Sequence, residues 1–235
     1  MCPDSNGSLA SVVEMSARIS RADVVVYDLD GVITTRDSFT ALILIRLRKA
    51  PLRLVQALPA AAAMLLGRHG ELRHRAARRV AEIALAGMVE RDYAELALAF
   101  GNSIGGDASW IRPEAVQRIR RQHAEGKRVV IATASERQLA QALLARAGVS
   151  YDVLSASLLA ASHTGMVVTD HRVGARKTVA LREQQVPIEE AEFVTDSMTD
   201  LPTAQVAARV VLIGASSKTR DRYARAGIKF LRSAM

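Results

Sequence analysis

Four short apolar runs constrain the fold of this chain more than any other feature. They are rich in β-branched residues and do not alternate with polar ones, as is typical of strands buried on both faces of a parallel sheet. Helical segments lie between them, with start and stop residues such as Pro113 and Gly126. The runs are VVVYDL (24–29), RVVIAT (128–133), EFVTD (192–196) and ARVVLIG (208–214), with IKFL (228–231) as a weaker fifth. This alternation predicts an α/β fold with helices on both faces of a parallel sheet.

Two regions depart from the alternation. YDVLSASLL and GMVVTD, separated by the polar segment AASHTG, predict a β-hairpin inserted between two helices. Residues 36–108 contain no convincing strand and divide into helical segments. These are SFTALILIRLRK, PLRLVQALPAAAAMLL, ELRHRAARRVAEIALAG and RDYAELALAFGNS. We therefore expect a core formed by residues 1–35 and 109–235 and an inserted helical domain formed by residues 36–108.

The positive charge of the chain is concentrated in this helical region. The formal net charge is +8, and residues 36–91 hold eleven basic and four acidic residues, a net charge of +7. Such an excess favours an anionic partner, either a phosphorylated substrate, a membrane surface or a nucleic acid. A solvated basic face explains it equally well. Because basic residues are not interleaved with aromatic ones and no binding motif is present, we expect no nucleic-acid partner.

The cysteine content and the N-terminal composition indicate a cytoplasmic protein. Cys2 is the only cysteine, so no disulfide framework forms within one chain. The first residues do not show the basic and then apolar pattern of a signal peptide. The longest uncharged apolar run of the basic segment, LVQALPAAAAMLLG, is too short to span a bilayer and contains Pro59. A peripheral membrane contact stays open.

Polar side chains follow the predicted strands at their carboxyl ends, where open α/β sheets bind ligands. The set comprises Asp28 and Asp30 after the first strand, Thr133 and Ser135 after the second, Asp196 and Asp200 after the third, and Lys177 near a helix start. Clustered carboxylates repel one another unless a cation holds them, and a site made of oxygen ligands favours Mg²⁺. With Mg²⁺ and an ammonium group present, a phosphate is the natural substrate group.

The Asp28 and Asp30 pair suits two different tasks. One carboxylate at phosphoryl distance can act as a nucleophile, and the other can protonate the leaving oxygen and later activate water. Gly31 directly after them lets the backbone turn sharply beside the phosphate. A D-x-D pair also occurs in metal-dependent glycosyltransferases, but that assignment leaves Lys177 and VTDSMTD without a role. Ser135 is expected to cap the helix that follows it.

Four motifs in order carry a family resemblance: DLDGV (28–32), VVIATAS (129–135), Lys177 in GARKTVAL, and VTDSMTDLP (194–202). Together with the RDSF segment after the first motif, they resemble the haloacid dehalogenase (HAD) superfamily of phosphohydrolases. The resemblance is to its phosphoserine-phosphatase-like subclass, subfamily IB, and it covers the chain from about Val24 to the end. It implies a Rossmann-like core, the HAD fold, with an inserted helical C1-type cap that chooses the substrate.

The resemblance also implies a role for each matching residue. Asp28 would be the nucleophile and Asp30 the general acid and base. Thr133 would hydrogen-bond the phosphoryl oxygens, and Lys177 would balance their charge. Mg²⁺ would be held by the Asp28 side chain, the Asp30 carbonyl and the Asp196 side chain, with Asp200 in support near the metal. Two positions depart from phosphoserine phosphatase: Ala134 and Ser135 replace glycines, and Asp37 replaces a glutamate that contacts substrate. These departures argue against phosphoserine itself.

The expected function is therefore a Mg²⁺-dependent phosphomonoesterase acting on a small phosphorylated metabolite. A first alternative uses the apolar stretch from Leu42 to Leu66 as a wall for a lipid phosphate, with the arginines meeting a membrane surface. A second alternative is a non-catalytic anion-binding protein that keeps the fold. The presence of every expected catalytic side chain argues against the second.

Overall fold

A computed structural model describes residues 24–66 and 70–232, and its strands form one sheet. The strands are β1 (Val24–Tyr27), β2 (Arg128–Glu136), β3 (Val153–Ser162), β4 (Gly165–Asp170), β5 (Glu192–Thr195), β6 (Arg209–Leu212) and β7 (Phe230–Arg232). Their order across the sheet is β4-β3-β2-β1-β5-β6-β7. All neighbouring pairs are parallel except β3 and β4, which are antiparallel. The predicted α/β fold on a parallel sheet is confirmed.

Helices connect the strands and cover the sheet. They are α1 (Ser38–Arg48), α2 (Pro51–Leu66), α3 (Gly70–Ala84), α4 (Glu90–Gly105), α5 (Pro113–Ala124), α6 (Arg137–Arg146), α7 (Ala175–Glu183), α8 (Leu201–Val206) and α9 (Ser217–Arg225), with 3₁₀ turns at Ile188–Glu190 and Met198–Asp200. None of the helices in the described ranges is long and apolar enough to cross a membrane.

The central strand β1 is buried on both faces, which explains its uninterrupted apolar sequence. Tyr27 and the neighbouring Ile131 belong to one core cluster, while Val26 and Phe193 belong to the cluster on the opposite face. Alternate residues of each strand thus fill two separate apolar layers. This burial fixes the position of the carboxyl end of β1, and Asp28 is the next residue in the chain.

The predicted hairpin is present, and it extends one of the parallel strands. The first half of β3 pairs with β2, and its second half extends past the end of β2 and pairs with the edge strand β4. Only His163 and Thr164 lie between the two strands, so the turn is shorter than the polar segment AASHTG suggested. The hairpin carries Met166 and Val168 into the core of the helical lobe.

The chain leaves the sheet after β1 and returns at α5, and these two crossings lie side by side. Thr35 N–H donates to the Trp110 carbonyl at 2.8 Å, and Arg112 N–H donates to the Ile33 carbonyl at 2.8 Å. Thr34 and Ile111 form an isolated antiparallel bridge between them. The helices α1 to α4 are therefore inserted at a two-stranded junction beside the end of β1.

Helix α4 packs against the core helix α6. Gly101 and Gly105 face α6, and a Cβ on Gly101 would lie 2.7 Å from the Ala142 Cβ. The Tyr93 hydroxyl also donates to Glu136 Oε2 at 2.7 Å. Helices α1 to α3 form a cluster with α4 and with the hairpin strand β4. The division at residues 36 and 108 stays a prediction, since α4 contacts both parts.

Candidate active site

A polar cavity of about 250 Å³ opens at the carboxyl ends of β1, β2 and β5. These three strands are neighbours in the sheet, so the residues that follow them meet although they are far apart in the chain. The lining residues are Asp28, Asp30, Gly31, Thr35, Arg36, Asp37, Ala134, Val173, Lys177, Asp196, Ser197, Thr199 and Asp200. All five acidic and basic residues that were expected from the sequence at the strand ends thus surround one space.

A buried lysine joins two of the carboxylates. The Lys177 Nζ lies 3.2 Å from Asp28 Oδ1 and 2.6 Å from Asp200 Oδ1, and all three side chains are buried. Asp28 Oδ1 also accepts from the Leu29 N–H at 2.8 Å, and Asp200 Oδ2 accepts from the Thr195 hydroxyl at 2.7 Å. The pairing fixes the position of Asp28 at the floor of the cavity.

The charges of this group shift one another's proton affinities. Burial and the neighbouring Asp200 raise the pKa of Asp28 above its usual range, against the opposing effect of Lys177. Burial alone would lower the pKa of Lys177, but Asp200 and Asp28 raise it above its ordinary value. Lys177 is therefore a fixed positive charge at neutral pH, and two carboxylates share it.

Asp30 is held by a set of hydrogen-bond donors on the side of the cavity next to α1. Its Oδ1 accepts from the Ser38 N–H at 2.8 Å and from the Thr34 hydroxyl at 3.3 Å. Its Oδ2 accepts from the Ser135 hydroxyl at 2.6 Å and from the Thr133 hydroxyl at 3.4 Å. The carboxyl group consequently has one defined orientation.

The environment of Asp30 suits proton transfer near neutral pH. Burial and the nearby Asp37 raise the pKa of Asp30 to about 6, although hydrogen bonds from Ser135 and Ser38 favour the ionised form. A group with a pKa in this range exchanges protons readily at physiological pH. Neither Ser38 nor Thr34 was identified from the sequence. The signal was the RDSF segment, whose serine is the first residue of α1.

Two predictions for the end of β2 have different outcomes. The prediction that Ser135 caps the following helix is wrong, because Glu136 caps α6 by accepting from the Gln138 and Leu139 N–H groups. Ser135 instead lies within β2 and holds Asp30. Thr133 is fully buried behind Asp30, where its hydroxyl accepts from the Ser135 N–H, so its contact with phosphoryl oxygens stays a prediction.

Asp196 lies against Gly31 and has an unused oxygen. Its buried Oδ1 has no hydrogen-bond partner among the described residues, which is costly for a carboxylate. Burial and the neighbouring Asp200 raise the pKa of Asp196 to about 6. Gly31 has a φ of +83°, and a Cβ there would overlap the Asp196 carboxylate. An orphaned oxygen beside a crowd of carboxylates fits a bound cation.

A cation at this position would need main-chain ligands. Within residues 24–66 and 70–232, no group of three or more histidine, cysteine, aspartate and glutamate side chains is arranged to hold a metal ion. The side chains of Asp28 and Asp196 supply hard oxygens, and the Asp30 carbonyl implied by the resemblance supplies a third. Mg²⁺ commonly takes one or two carboxylates and keeps several waters, so this donor set fits it.

The outer rim of the cavity carries two charged residues, of which only Asp37 was assigned from the sequence to the substrate side of the site. Thr35, Arg36 and Asp37 are exposed at the start of the helical lobe and line the cavity. The Arg36 guanidinium lies 5.3 Å from the centre of the Trp110 ring, a cation–π contact across the two-stranded junction. It is positioned there without an ion pair to any described carboxylate.

The fold and the strand-end carboxylates together define a hydrolase of the Rossmann-like α/β class. The chain belongs to the haloacid dehalogenase-like hydrolase family, whose pattern matches residues 25–205. The expected superfamily is confirmed by this match. Solved structures of phosphoserine phosphatases and of a phosphoserine phosphohydrolase-like protein share the fold, and the assignment to a phosphoserine-phosphatase-like subclass stays a prediction.

The chain is similar to one curated protein and to several solved structures. It is 32% identical to protein CicA of Caulobacter vibrioides over 149 residues, which span 62% of this chain and 63% of CicA. A protein of unknown function from Bordetella pertussis Tohama I has a TM-score of 0.62 at 18% identity, over 88% of this chain and 97% of that one. A phosphoserine phosphohydrolase-like protein from Francisella tularensis has a TM-score of 0.62 at 11% identity, over 90% and 94%.

Proposed function

We propose that this protein is a Mg²⁺-dependent phosphomonoesterase that works through an aspartyl-phosphate and acts on a small, polar phosphorylated metabolite. The observation that carries the proposal is the position of Asp28. Its carboxylate lies on the floor of the cavity, is held by Lys177 at 3.2 Å, and is two residues from a second carboxyl group with a pKa of about 6. A nucleophile and a proton donor thus line the same space.

In the first step, the Asp28 oxygen that Lys177 does not hold attacks the phosphorus atom of the substrate. A bond forms between this oxygen and phosphorus, and the bond from phosphorus to the ester oxygen breaks. The ester oxygen takes the proton of the Asp30 carboxyl group and leaves as an alcohol. Lys177 balances the negative charge on the phosphoryl group, which lowers the cost of bringing a phosphate to a buried carboxylate.

In the second step, Asp30, now ionised, accepts a proton from a water molecule. The resulting hydroxide attacks the phosphorus atom, the bond between phosphorus and the Asp28 oxygen breaks, and inorganic phosphate leaves. The hydrogen bonds from Ser38, Thr34 and Ser135 hold Asp30 in one orientation through both proton transfers. Both aspartates return to their starting states.

Mg²⁺ would be held by the side chains of Asp28 and Asp196 and by the Asp30 carbonyl, the ligands that the resemblance to HAD phosphatases implies. When bound, Mg²⁺ supplies positive charge that offsets the phosphate and the surrounding carboxylates. Asp200 acts from behind by holding the Lys177 Nζ at 2.6 Å.

The chemical character of the rim favours a polar substrate. Thr35, Arg36, Asp37, Ser197 and Thr199 surround the opening, whereas Val173 and Ala134 are the only residues of the lining with apolar side chains. This lining suits the hydroxyl, amino or carboxylate groups of a metabolite better than an acyl chain. The solved structures with this fold include a phosphoserine phosphatase and a probable phosphoserine phosphatase from Vibrio cholerae, which supports an assignment to small phosphate esters.

The test is phosphate release from a panel of amino-acid, sugar, nucleotide and lysophospholipid phosphates, measured with Mg²⁺ and then with EDTA. We expect Mg²⁺-dependent release that is highest on a small polar ester. Asp28→Asn should lower kcat by at least about a thousandfold, because the nucleophile is lost. Asp221→Asn, a change at an exposed aspartate on α9, is the matched control and should keep full activity.

Trapping the covalent intermediate separates this mechanism from a direct attack by water. Acid quenching during turnover of a ³²P-labelled substrate should leave label on the wild-type protein and none on Asp28→Asn. A variant Asp28→Asn that turns over normally, or release that is unaffected by EDTA, would show the proposal to be wrong.

A further inference from the structure

Helix α2 presents an unusual apolar face to solvent. Leu52 and Leu65 are 81% and 82% exposed, Val55 is 63% exposed and Leu58 is 56% exposed. Within residues 51–65, whose side chains the structure describes, only Ala57 is fully buried. Exposed apolar side chains are common singly, but a row of them along one helix marks an interaction surface.

The exposed side chains lie on one side of the helix. At 100° per residue, Leu52, Val55, Leu58 and Leu65 fall within a sector of about 140°, and Pro59 and Ala62 lie in the same sector. We call this set the α2 face. At a rise of 1.5 Å per residue, the α2 face from Leu52 to Leu65 is an apolar strip about 20 Å long.

The neighbouring helices add further apolar side chains and positive charge. Leu44 of α1 is 43% exposed, and Arg48, one turn later on the same side of α1, is exposed together with Lys49. Neither Arg48 nor Lys49 forms an ion pair with any residue of 24–66 or 70–232. On α3, Leu72 is half exposed and shares its side with Arg75 and Arg79.

The charge around the α2 face decides what it fits. Helices α1 and α2 contain no acidic residue, and residues 36–91 have a net charge of +7. A second copy of this chain docked face to face would bring two such regions together, and they would repel one another. A bilayer with anionic lipids matches both features, since its headgroups attract these positive regions and its interface with the acyl chains accepts the apolar strip.

We propose that the α2 face docks on the surface of an anionic lipid bilayer. The leucine and valine side chains enter the boundary between headgroups and acyl chains, while Arg48 and Lys49 contact the lipid phosphates. The helix lies in the plane of the membrane surface and does not cross it, in agreement with its length. This inference is independent of the proposed phosphatase activity, because docking involves none of the residues of the catalytic cavity.

The test is cosedimentation of the full-length protein with vesicles of phosphatidylcholine alone and with vesicles containing about 30% phosphatidylglycerol. We expect binding to the anionic vesicles that weakens as salt is raised, and little binding to the neutral ones. The variant Leu52→Ser/Leu58→Ser/Leu65→Ser should lower the partition coefficient by at least about tenfold, since three side chains no longer gain from leaving water.

Matched variants separate docking from general effects on the protein. Leu98→Ser changes a leucine of α4 that is as exposed as Leu58 and should bind as wild type. Arg48→Glu/Lys49→Glu should abolish binding, whereas Lys218→Glu/Arg222→Glu, an equal charge change on the exposed side of α9, should reduce it far less. The charge variants keep the test valid if the triple serine variant does not fold.

Three results would overturn the inference. The first is an absence of binding to anionic vesicles by the wild-type protein. The second is binding that survives both the triple serine and the Arg48→Glu/Lys49→Glu substitutions. The third is a wild-type dimer, measured by light scattering, that the triple serine variant converts to a monomer, because the α2 face would then be the contact between two copies.

Discussion

Gly31 has a positive φ and packs against the Asp196 carboxylate, so its lack of a side chain serves the backbone and the site together. We predict that Gly31→Ala lowers Mg²⁺ affinity and activity by at least about a hundredfold, because the new methyl group would displace Asp196. Isothermal titration with Mg²⁺ and phosphate release measure the two effects.

Gly126 provides the control for this substitution. Its φ of +80° is close to that of Gly31, but a Cβ there meets nothing within 4 Å. Gly126→Ala therefore places a side chain on a left-handed backbone conformation, as Gly31→Ala does, but without a collision. It should lower the free energy of unfolding by about 1 kcal/mol and leave Mg²⁺ binding unchanged. Equal losses of Mg²⁺ affinity in both variants would contradict the role given to Asp196.

His171 is expected to make the stability of the protein depend on pH. Burial, then His74 and Arg78, lower the pKa of His171 from 6.5 to about 4, against the opposing effect of Asp170. Between pH values of about 4 and 6.5, His171 is protonated in the unfolded chain but neutral in the native protein. The free energy of unfolding therefore falls as the pH drops from about 6.5 to about 4, by about 3 kcal/mol in total.

Urea denaturation of the wild type and of His171→Gln at several pH values tests this assignment. The glutamine variant should lose less stability between pH values of about 7 and 5 than the wild type does, since glutamine does not titrate. His163→Gln is the control, because His163 lies in the exposed turn of the hairpin. A wild type and a His171→Gln variant with the same pH dependence would show that another group is responsible.

At the scale of elements, the contact between α4 and α6 depends on two glycines. A Cβ on Gly101 would lie 2.7 Å from Ala142 Cβ and 3.0 Å from the Leu139 carbonyl oxygen. We predict that Gly101→Ala destabilises the protein by about 1–3 kcal/mol, because the overpacking outweighs the better helix propensity of alanine. Thermal melting followed by circular dichroism measures the change.

Gly70→Ala, at the first position of α3, is the comparison for that substitution. No atom of residues 24–66 or 70–232 lies within 4 Å of the Cβ it would add, so this variant should be neutral or slightly stabilised. A Gly101→Ala variant as stable as Gly70→Ala would mean that α4 can shift away from α6 at no cost.

The same elements show what a sequence pattern predicts and what it does not. The burial of β1 was predictable from its uninterrupted apolar run, and the hairpin of β3 and β4 from two strand patterns separated by a short polar segment. The packing of α4 on α6 was not predictable, because the periodicity of a helix indicates which side is buried but not which element covers it. Ser135 was misassigned for a related reason: β2 extends three residues beyond the predicted run RVVIAT (128–133), so Glu136 caps the helix.

For the molecule as a whole, the crowd of carboxylates predicts that Mg²⁺ stabilises the fold. Repulsion among Asp28, Asp196 and Asp200 is relieved when a cation binds to the native state only. At a Mg²⁺ concentration about 100 times Kd, the gain is about 2.7 kcal/mol, and Tm should rise accordingly. Differential scanning calorimetry with Mg²⁺ and with EDTA measures it.

Asp196→Asn gives the complementary result. Without metal, this variant should melt at the same temperature as the wild type or higher, since the negative charge of a partly buried carboxylate beside Asp200 is removed. Its Tm should no longer respond to Mg²⁺. A Tm increase by Mg²⁺ as large as that of the wild type would show that the cation binds elsewhere.

The sequence predicted which residues meet at the site but not all of the contacts that hold them there. Because the four motifs follow four predicted elements, their convergence on one edge of the sheet was expected, and the cavity contains Asp28, Asp30, Lys177, Asp196 and Asp200. The four donors to Asp30 and the stacking of Arg36 on Trp110 were not expected. Both depend on how α1 and the residues before α5 approach the sheet, which local patterns do not specify.

The order of the strands also determines when the site can form during folding. β1 pairs with β2 about 100 residues later in the chain and with β5 more than 160 residues later. Closing such long loops costs entropy before any contact is gained, so these pairings are slow steps in the assembly of a sheet. Asp196 and Asp200 directly follow β5, so the pairing of β5 with β1 is what brings them beside Asp28 and completes the site. Recovery of catalytic activity after dilution from denaturant should therefore lag behind recovery of helical structure, and would time the last stage of folding.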